Sequence, residues 1–235
     1  MNFSDLVTPV RRQTLGGDVY EQIKELLVSG QLMPGETLSL RATAAALGVS
    51  VMPVRDAMQR LVAEQALEVT PNRAMRVPVM KVAQFREITT IRINLEGLAT
   101  EVAAGVVHDD ALAQIGQWQD GFAAEMGKAK PDSARLITLN KEFHFAIYRA
   151  AGMPMLVQMI EALWLRIGPI LNHDLRSGSR RVQDKVAVGH HAQLVKALAK
   201  RDAAAARKAL QGDIETAAEF IVKAGVLVEA DGKSG

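Results

Sequence analysis

Cysteine is absent from the 235 residues, which excludes disulfides and thiolate metal sites and leaves histidine, carboxylate and amide side chains as the metal ligands on offer. Aromatic residues are scarce, at 4%, while hydrophobic residues reach 49%, a balance that suits an alanine-rich helical protein better than a sheet protein. No apolar stretch follows Met1 as a signal peptide would, and no run approaches membrane-spanning length; a cytoplasmic protein with no membrane partner is expected. A marked excess of charge of either sign is missing as well. The net charge is +2, and residues 1–80 hold eight Lys/Arg against eight Asp/Glu. Any nucleic-acid binding must therefore rest on where individual arginines stand, not on a basic domain. The length allows one large domain or two smaller ones, each with its own core.

What is present is concentrated first in residues 47–62, Leu-Gly-Val-Ser-Val-Met-Pro-Val-Arg-Asp-Ala-Met-Gln-Arg-Leu-Val. Gly48 and Ser50 read as a turn and a helix cap, and Pro53 falls in the first turn, where a missing N–H is harmless. Val54, Ala57, Met58, Leu61 and Val62 recur at helical spacing and form an apolar face. Arg55, Gln59 and Arg60 occupy the other face, with the reach to touch phosphates or base edges in a major groove.

Around this segment the order is helix, helix, helix, hairpin. Residues 1–16 read as a loose arm carrying Arg11 and Arg12, and Asp18 to Ser29 as a first amphipathic helix stopped by Gly30 and Pro34-Gly35. Ser39 can cap a second helix through Leu47. Leu67–Thr70 and Met75–Val79 read as two strands joined by Pro71-Asn72-Arg73, a wing. Beyond Val82 strand signals vanish and six helices are expected, near 84–107, 109–127, 132–151, 153–172, 181–200 and 203–225, with a break at Ser177-Gly178-Ser179 and a disordered tail over 229–235. The expected fold is mainly α: a winged helix-turn-helix domain over 1–80 and an all-α bundle of six or seven helices over 81–228.

Polar residues interrupt the apolar faces of this second half. His144 shares a face with Ile137, Ile147 and, one turn earlier, Asn140. His191 lies among Ala187, Leu194 and Leu198, and Asp213 among Ala206, Leu210 and Ala217. Arg92 and Arg166 break the stripes of their own helices. Buried charges are costly unless paired, so these groups are expected to meet one another or a ligand. Two imidazoles, a carboxylate and an amide can hold a divalent metal ion such as Zn, Mn or Ni, and Arg92 and Arg166 are planar cations suited to a carboxylate. The plainer alternatives are histidines hydrogen-bonded in a core and an Asp213 ion-paired with Arg92 or Arg166. His190 reads as a surface residue, and His108 and His173 as helix-end residues.

The order of motifs resembles the GntR family of bacterial transcription regulators, in the FadR-like branch with an all-helical FCD effector domain. The carriers are Gly30–Glu36, Leu47-Gly48-Val49-Ser50, Pro53–Ala57 and Pro71-Asn72-Arg73, then Arg92–Glu96, Phe143-His144 and the stretch from His191 to Leu210. The resemblance implies DNA contacts from Arg41, Ser50 and Arg55, with Asn72 and Arg73 on the wing. Val51 stands where the family usually has arginine, and Ala74 where it has glycine. It also implies a metal set of an acidic or amide residue, a histidine four later and two further histidines; Asn140, His144 and His191 match, while Asp213 replaces the last. That exchange makes the site harder and favours Mn or Mg more than before.

The expected function is thus a ligand-responsive, sequence-specific repressor, not an enzyme. It would act as a homodimer on double-stranded DNA at an inverted-repeat operator and be released by a small organic acid bound at Arg92, Arg166 and Asn140. The alternatives are a metal-responsive sensor and a metal-dependent hydrolase or lyase, which would need a general base that no recognisable spacing supplies near His144 or His191. The connection around Met80-Lys81-Val82 is the expected point of transmission.

Overall fold

The computed structural model describes residues 15–176 and 185–229, with only the backbone for 173–176. Most of the N-terminal arm with Arg11 and Arg12, the break at Ser177-Gly178-Ser179, the side chain of His173 and nearly all of the C-terminal tail lie outside the described residues. Leu15 and Gly16, assigned above to the arm, instead open the first helix.

The chain divides into two compact units, Met1–Glu25 with Thr37–Arg76, and Leu26–Glu36 with Val77–Gly235. In the first, α1 (Leu15–Val28) contributes its N-terminal turns, followed by α2 (Leu40–Leu47) and α3 (Val51–Ala63). Ser39 caps α2 by accepting the Ala42 N–H, and Gly48 ends it in the left-handed region at φ 66°, a conformation glycine adopts freely. Val54, Ala57, Met58 and Leu61 are buried, as their spacing predicts, in the same unit as Val19, Tyr20, Ile23 and Leu67.

The wing is an antiparallel pair, β2 (Glu68–Val69) and β3 (Met75–Arg76), each shorter than expected. A third strand, β1 (Thr37–Leu38), pairs with β3 to give the order β1-β3-β2. Two residues are too few for alternation to mark a strand, which is why β1 has no sequence signal.

The second unit holds α4 (Val82–Val106), α5 (Asp109–Met126), α6 (Ser133–Ala150), α7 (Pro154–Arg176), α8 (Val186–Ala199) and α9 (Ala203–Lys223). Five fall close to their predicted spans, while α8, expected from 181, begins at Val186, and 181–184 lie outside the described residues. Asp132 and Asp202 cap α6 and α9 by accepting backbone N–H groups of the first turn. The main core gathers Ala99, Ala103, Phe143, Ile147, Tyr148, Ile160, Leu194, Leu198, Leu210 and Ile214. A second cluster joins Met80, Phe85 and Ile88 to Ile167, Ile170, Ile221 and Leu227. The most extensive packing is between α4 and α9, the first and last helices of this unit.

One expectation needs correcting. Pro154–Asn172 of α7 is long and apolar enough, by length and composition, to cross a membrane. One face of it is covered by protein, with Leu156, Ile160, Trp164, Ile167 and Ile170 buried in the core clusters, while Met155 and Met159 stand exposed.

The segment entering α4 is itself held. Val82 N–H donates to the Val228 carbonyl at 3.0 Å and Val228 N–H to the Met80 carbonyl at 3.1 Å, so that Lys81 and Val228 form a parallel bridge.

Candidate functional site

On the first unit, the side chains of Arg41, Arg55 and Arg73 are exposed and make no hydrogen bond or ion pair with another described residue. Ser50 sits at the N-cap of α3, but its hydroxyl makes no capping bond among the described residues, contrary to the expected role. The hydroxyl and the first N–H groups of α3 thus remain open at a helix N-terminus, a place suited to a phosphate. Arg60 behaves differently from its neighbour on the same helix. Its guanidinium lies over the Tyr20 ring at 3.7 Å, and its Nε bonds Glu64 at 3.1 Å, while Tyr20 donates to the same carboxylate at 2.6 Å. That side chain ties α3 to α1. Burial, and then the Glu64 bond, hold the Tyr20 phenol above its usual pKa, so it remains a donor.

At the wing tip the Thr70 hydroxyl bonds Asn72 Oδ1, so the carbonyl end of Asn72 builds the turn and only its amide nitrogen is left for a partner. The left-handed residue is Arg73, at φ 61°, and not Ala74. A non-glycine residue held in that region is strained.

In the second unit the polar interruptions converge. His144 of α6, His191 of α8 and Asp213 of α9 are buried, with one ligand atom from each lying within 4.8 Å of the others. Asp213 Oδ2 is 3.3 Å from His144 Nε2 and 3.8 Å from His191 Nε2. Asn140, Arg92, His144 and Asp213 line one small cavity together with Trp164 and Asn172. Asn140 Oδ1 is buried there with no hydrogen-bond partner among the described residues. An orphaned carbonyl oxygen beside two imidazoles and a carboxylate is a donor set that fits a divalent cation. The cavity is about 20 Å³, room for one ion or one water and too little for an organic acid.

The expected pair of arginines for a carboxylate does not form. Arg166 is half-buried and is not among the residues lining the cavity; two residues after Trp164 on α7, it faces another side of the helix. Arg92 does line it, but its guanidinium is already occupied by Glu96, one turn on along α4, at 2.6 Å from Nε and 3.3 Å from Nη2. Glu96 is fully buried and also accepts from Trp164 Nε1 at 3.0 Å and from the Tyr148 hydroxyl. Burial first, then the Glu96 charge and hydrogen bond, push the Tyr148 phenol well above its ordinary pKa. Tyr148 lies 3.3 Å from His144 Nδ1, and Gln119 Oε1 lies 3.1 Å from His191 Nδ1. Phe122 and Phe143 flank the His191 ring at 4.8 and 4.2 Å.

Tyr148, Trp164 and Gln119 carry no signal in the sequence, and Glu96 enters it only as the end of the Arg92–Glu96 motif, with no site role. Only the Arg92–Glu96 spacing of four residues carried a signal, and that spacing is ordinary for an exposed helix pair. A buried carboxylate does therefore stand near His144, through Tyr148, where sequence spacing showed none. His190, expected at the surface, is half-buried and bonds Thr216 at 3.2 Å.

Comparison with known proteins covers both units. A model of the FCD domain matches residues 87–216, and one of the bacterial regulatory proteins of the gntR family matches residues 15–77. The chain is 37% identical over 155 residues to the HTH-type transcriptional regulator McbR of Escherichia coli, covering 66% of this chain and 69% of that one. It is 27% identical over 151 residues to the HTH-type transcriptional repressor GlaR of the same organism, covering 63% and 68%. The solved structure of E. coli McbR/YncC has a TM-score of 0.81 to it at 29% identity, over 91% of this chain and 99% of that one. These relatives are transcription regulators, not enzymes.

Proposed function

The chain belongs to the gntR family of bacterial regulatory proteins and carries an FCD domain, and from that membership we infer a transcription regulator that binds DNA through the first and a small molecule through the second. We propose that it is a cytoplasmic, homodimeric repressor, with residues 1–80 reading an inverted-repeat operator and residues 81–228 binding the effector. In this reading Arg41, Ser50 and Arg55 contact DNA, joined by Asn72 and Arg73 at the wing, each recognition helix taking one half-site. The effector is a small carboxylate metabolite, and Asn140, His144, His191 and Asp213 hold a divalent metal ion that gives its carboxylate an anchor.

The observation that carries the effector half is the buried meeting of His144, His191 and Asp213, with His144 and Asp213 lining one small cavity together with Arg92. Binding an organic acid there requires the cavity to open, and repression is relieved only if the opened form has lower affinity for operator DNA. Thermal-shift screening of carboxylates on metal-loaded and chelator-treated protein, with each hit retested by DNA mobility shift, tests this. A hit that stabilises only the metal-loaded protein and releases DNA supports it; no carboxylate binding in either form overturns it.

The small cavity and the engagement of Arg92 by Glu96 favour a second reading, in which the metal is itself the signal. Chelation alone would then switch DNA binding with no organic ligand present.

A further inference from the structure

Each imidazole of the buried cluster faces an acceptor on both sides. On the outer side of His144 stands the Tyr148 hydroxyl, whose one proton goes to Glu96, a carboxylate engaged with Arg92 and Trp164. The Tyr148 oxygen can then only accept from His144 Nδ1. On the outer side of His191, Gln119 donates its Nε2 to the Val188 carbonyl at 3.4 Å, which turns Oε1 toward His191 Nδ1. Lone pair would face lone pair on both rings unless each Nδ1 carries a proton.

We propose that Tyr148 and Gln119 are positioning residues that fix both histidines in the Nδ1–H form, with Glu96 setting Tyr148, so that two Nε2 lone pairs and Asp213 turn inward together. The proposal rests on the metal reading of the cluster and adds the residues that prepare the rings before an ion arrives. Without such partners, a ring can place its proton on Nε2 and donate it to Asp213, closing the site to a cation. The aromatic walls Phe122 and Phe143 hold His191 against rotation. Preparation of the α6 ligand thus depends on α4 through Glu96 and on α7 through Trp164, and that of the α8 ligand on α5 through Gln119.

The test uses the full chain labelled with 15N at histidine, and zinc as the probe ion. In metal-free protein in alkaline buffer, both rings should show a protonated Nδ1 and a bare Nε2. Tyr148→Phe should move His144 toward the Nε2–H form and leave His191 unchanged; Gln119→Leu should do the reverse, and Gln119→Glu, which keeps an acceptor oxygen, should restore His191. Zinc affinity, by competition with a chromophoric chelator, should fall about 10–100-fold in Tyr148→Phe and Gln119→Leu, with circular dichroism unchanged. Wild-type rings protonated on Nε2, or tautomers that neither substitution moves, would overturn the proposal. Wild-type rings in the Nδ1–H form on a protein that takes up no zinc would support the positioning roles and defeat the metal reading alone. Should Tyr148→Phe fail to fold, the Gln119 pair decides the matter.

Discussion

Arg55 and Arg60 leave α3 five residues apart and meet different chemistry. Arg60 is stacked on Tyr20 and bonded to Glu64, whereas Arg55 reaches solvent with no partner among the described residues. Arg55→Ala should weaken operator binding by about 1–3 kcal/mol while the melting temperature stays put. Arg60→Ala should lower stability by about 0.5–1 kcal/mol, the range for an exposed cation–π contact, with a smaller effect on DNA. Mobility shifts and thermal melts on the two variants separate the roles; equal loss of operator affinity would remove the distinction. At the wing, Arg73→Gly should relieve the strain at φ 61° and raise stability by up to about 1 kcal/mol while weakening DNA binding. The apolar face of α3 was legible in its spacing. Which arginine folds back was not, because the ring that receives Arg60 comes from a helix far away in sequence.

At the turn between α5 and α6 one buried carboxylate gathers the polar contacts. Glu125 is buried near the end of α5, accepts from Lys128 Nζ at 2.7 Å and the Asp132 N–H at 2.9 Å, and pairs with the Arg135 guanidinium at 3.2 Å. The Lys128 bond first, then the Asp132 N–H, hold its carboxyl below the usual glutamate range. A lowered folded-state pKa stabilises at pH above the unfolded value, and that stabilisation is lost as pH falls through the folded one. Glu125→Gln should therefore be less stable than wild type at neutral pH, with the gap closing in acid; denaturant melts at neutral and acidic pH measure it. A gap that persists in acid would assign the effect to packing. The break between these helices was legible in Pro131-Asp132. Glu125 was not, since a single glutamate late in a helix has the pattern of a solvated residue.

The buried cluster is a property of the whole effector half, drawing on every helix from α4 to α9. His144, His191, Asp213 and Asn140 were legible because each puts a polar group on an apolar face. Glu96, Tyr148, Trp164 and Gln119 were not, because a phenol, an indole or an amide among apolar neighbours reads as core or surface until its partner's position is known. Chelation should lower the melting temperature if the cluster holds an ion. Metal at a hundred times its Kd adds about 2.7 kcal/mol. Asp213→Asn should remove most of that metal-dependent gain in thermal melts; a gain that survives the substitution would place the ion elsewhere.

The pairing of α4 with α9, and of Met80 and Val82 with Val228, bears on the order of synthesis. A ribosome delivers α4 first and α9 last, so Phe85 and Ile88 emerge well before Ile221 and Leu227, which cover them, have been made. Throughout that interval the growing chain carries an incompletely covered apolar face, the kind of surface chaperones attend to. The DNA-reading unit, by contrast, has all its residues once Arg76 is out. A message broken before α9 would leave a chain with a finished reading head and an effector half unable to close.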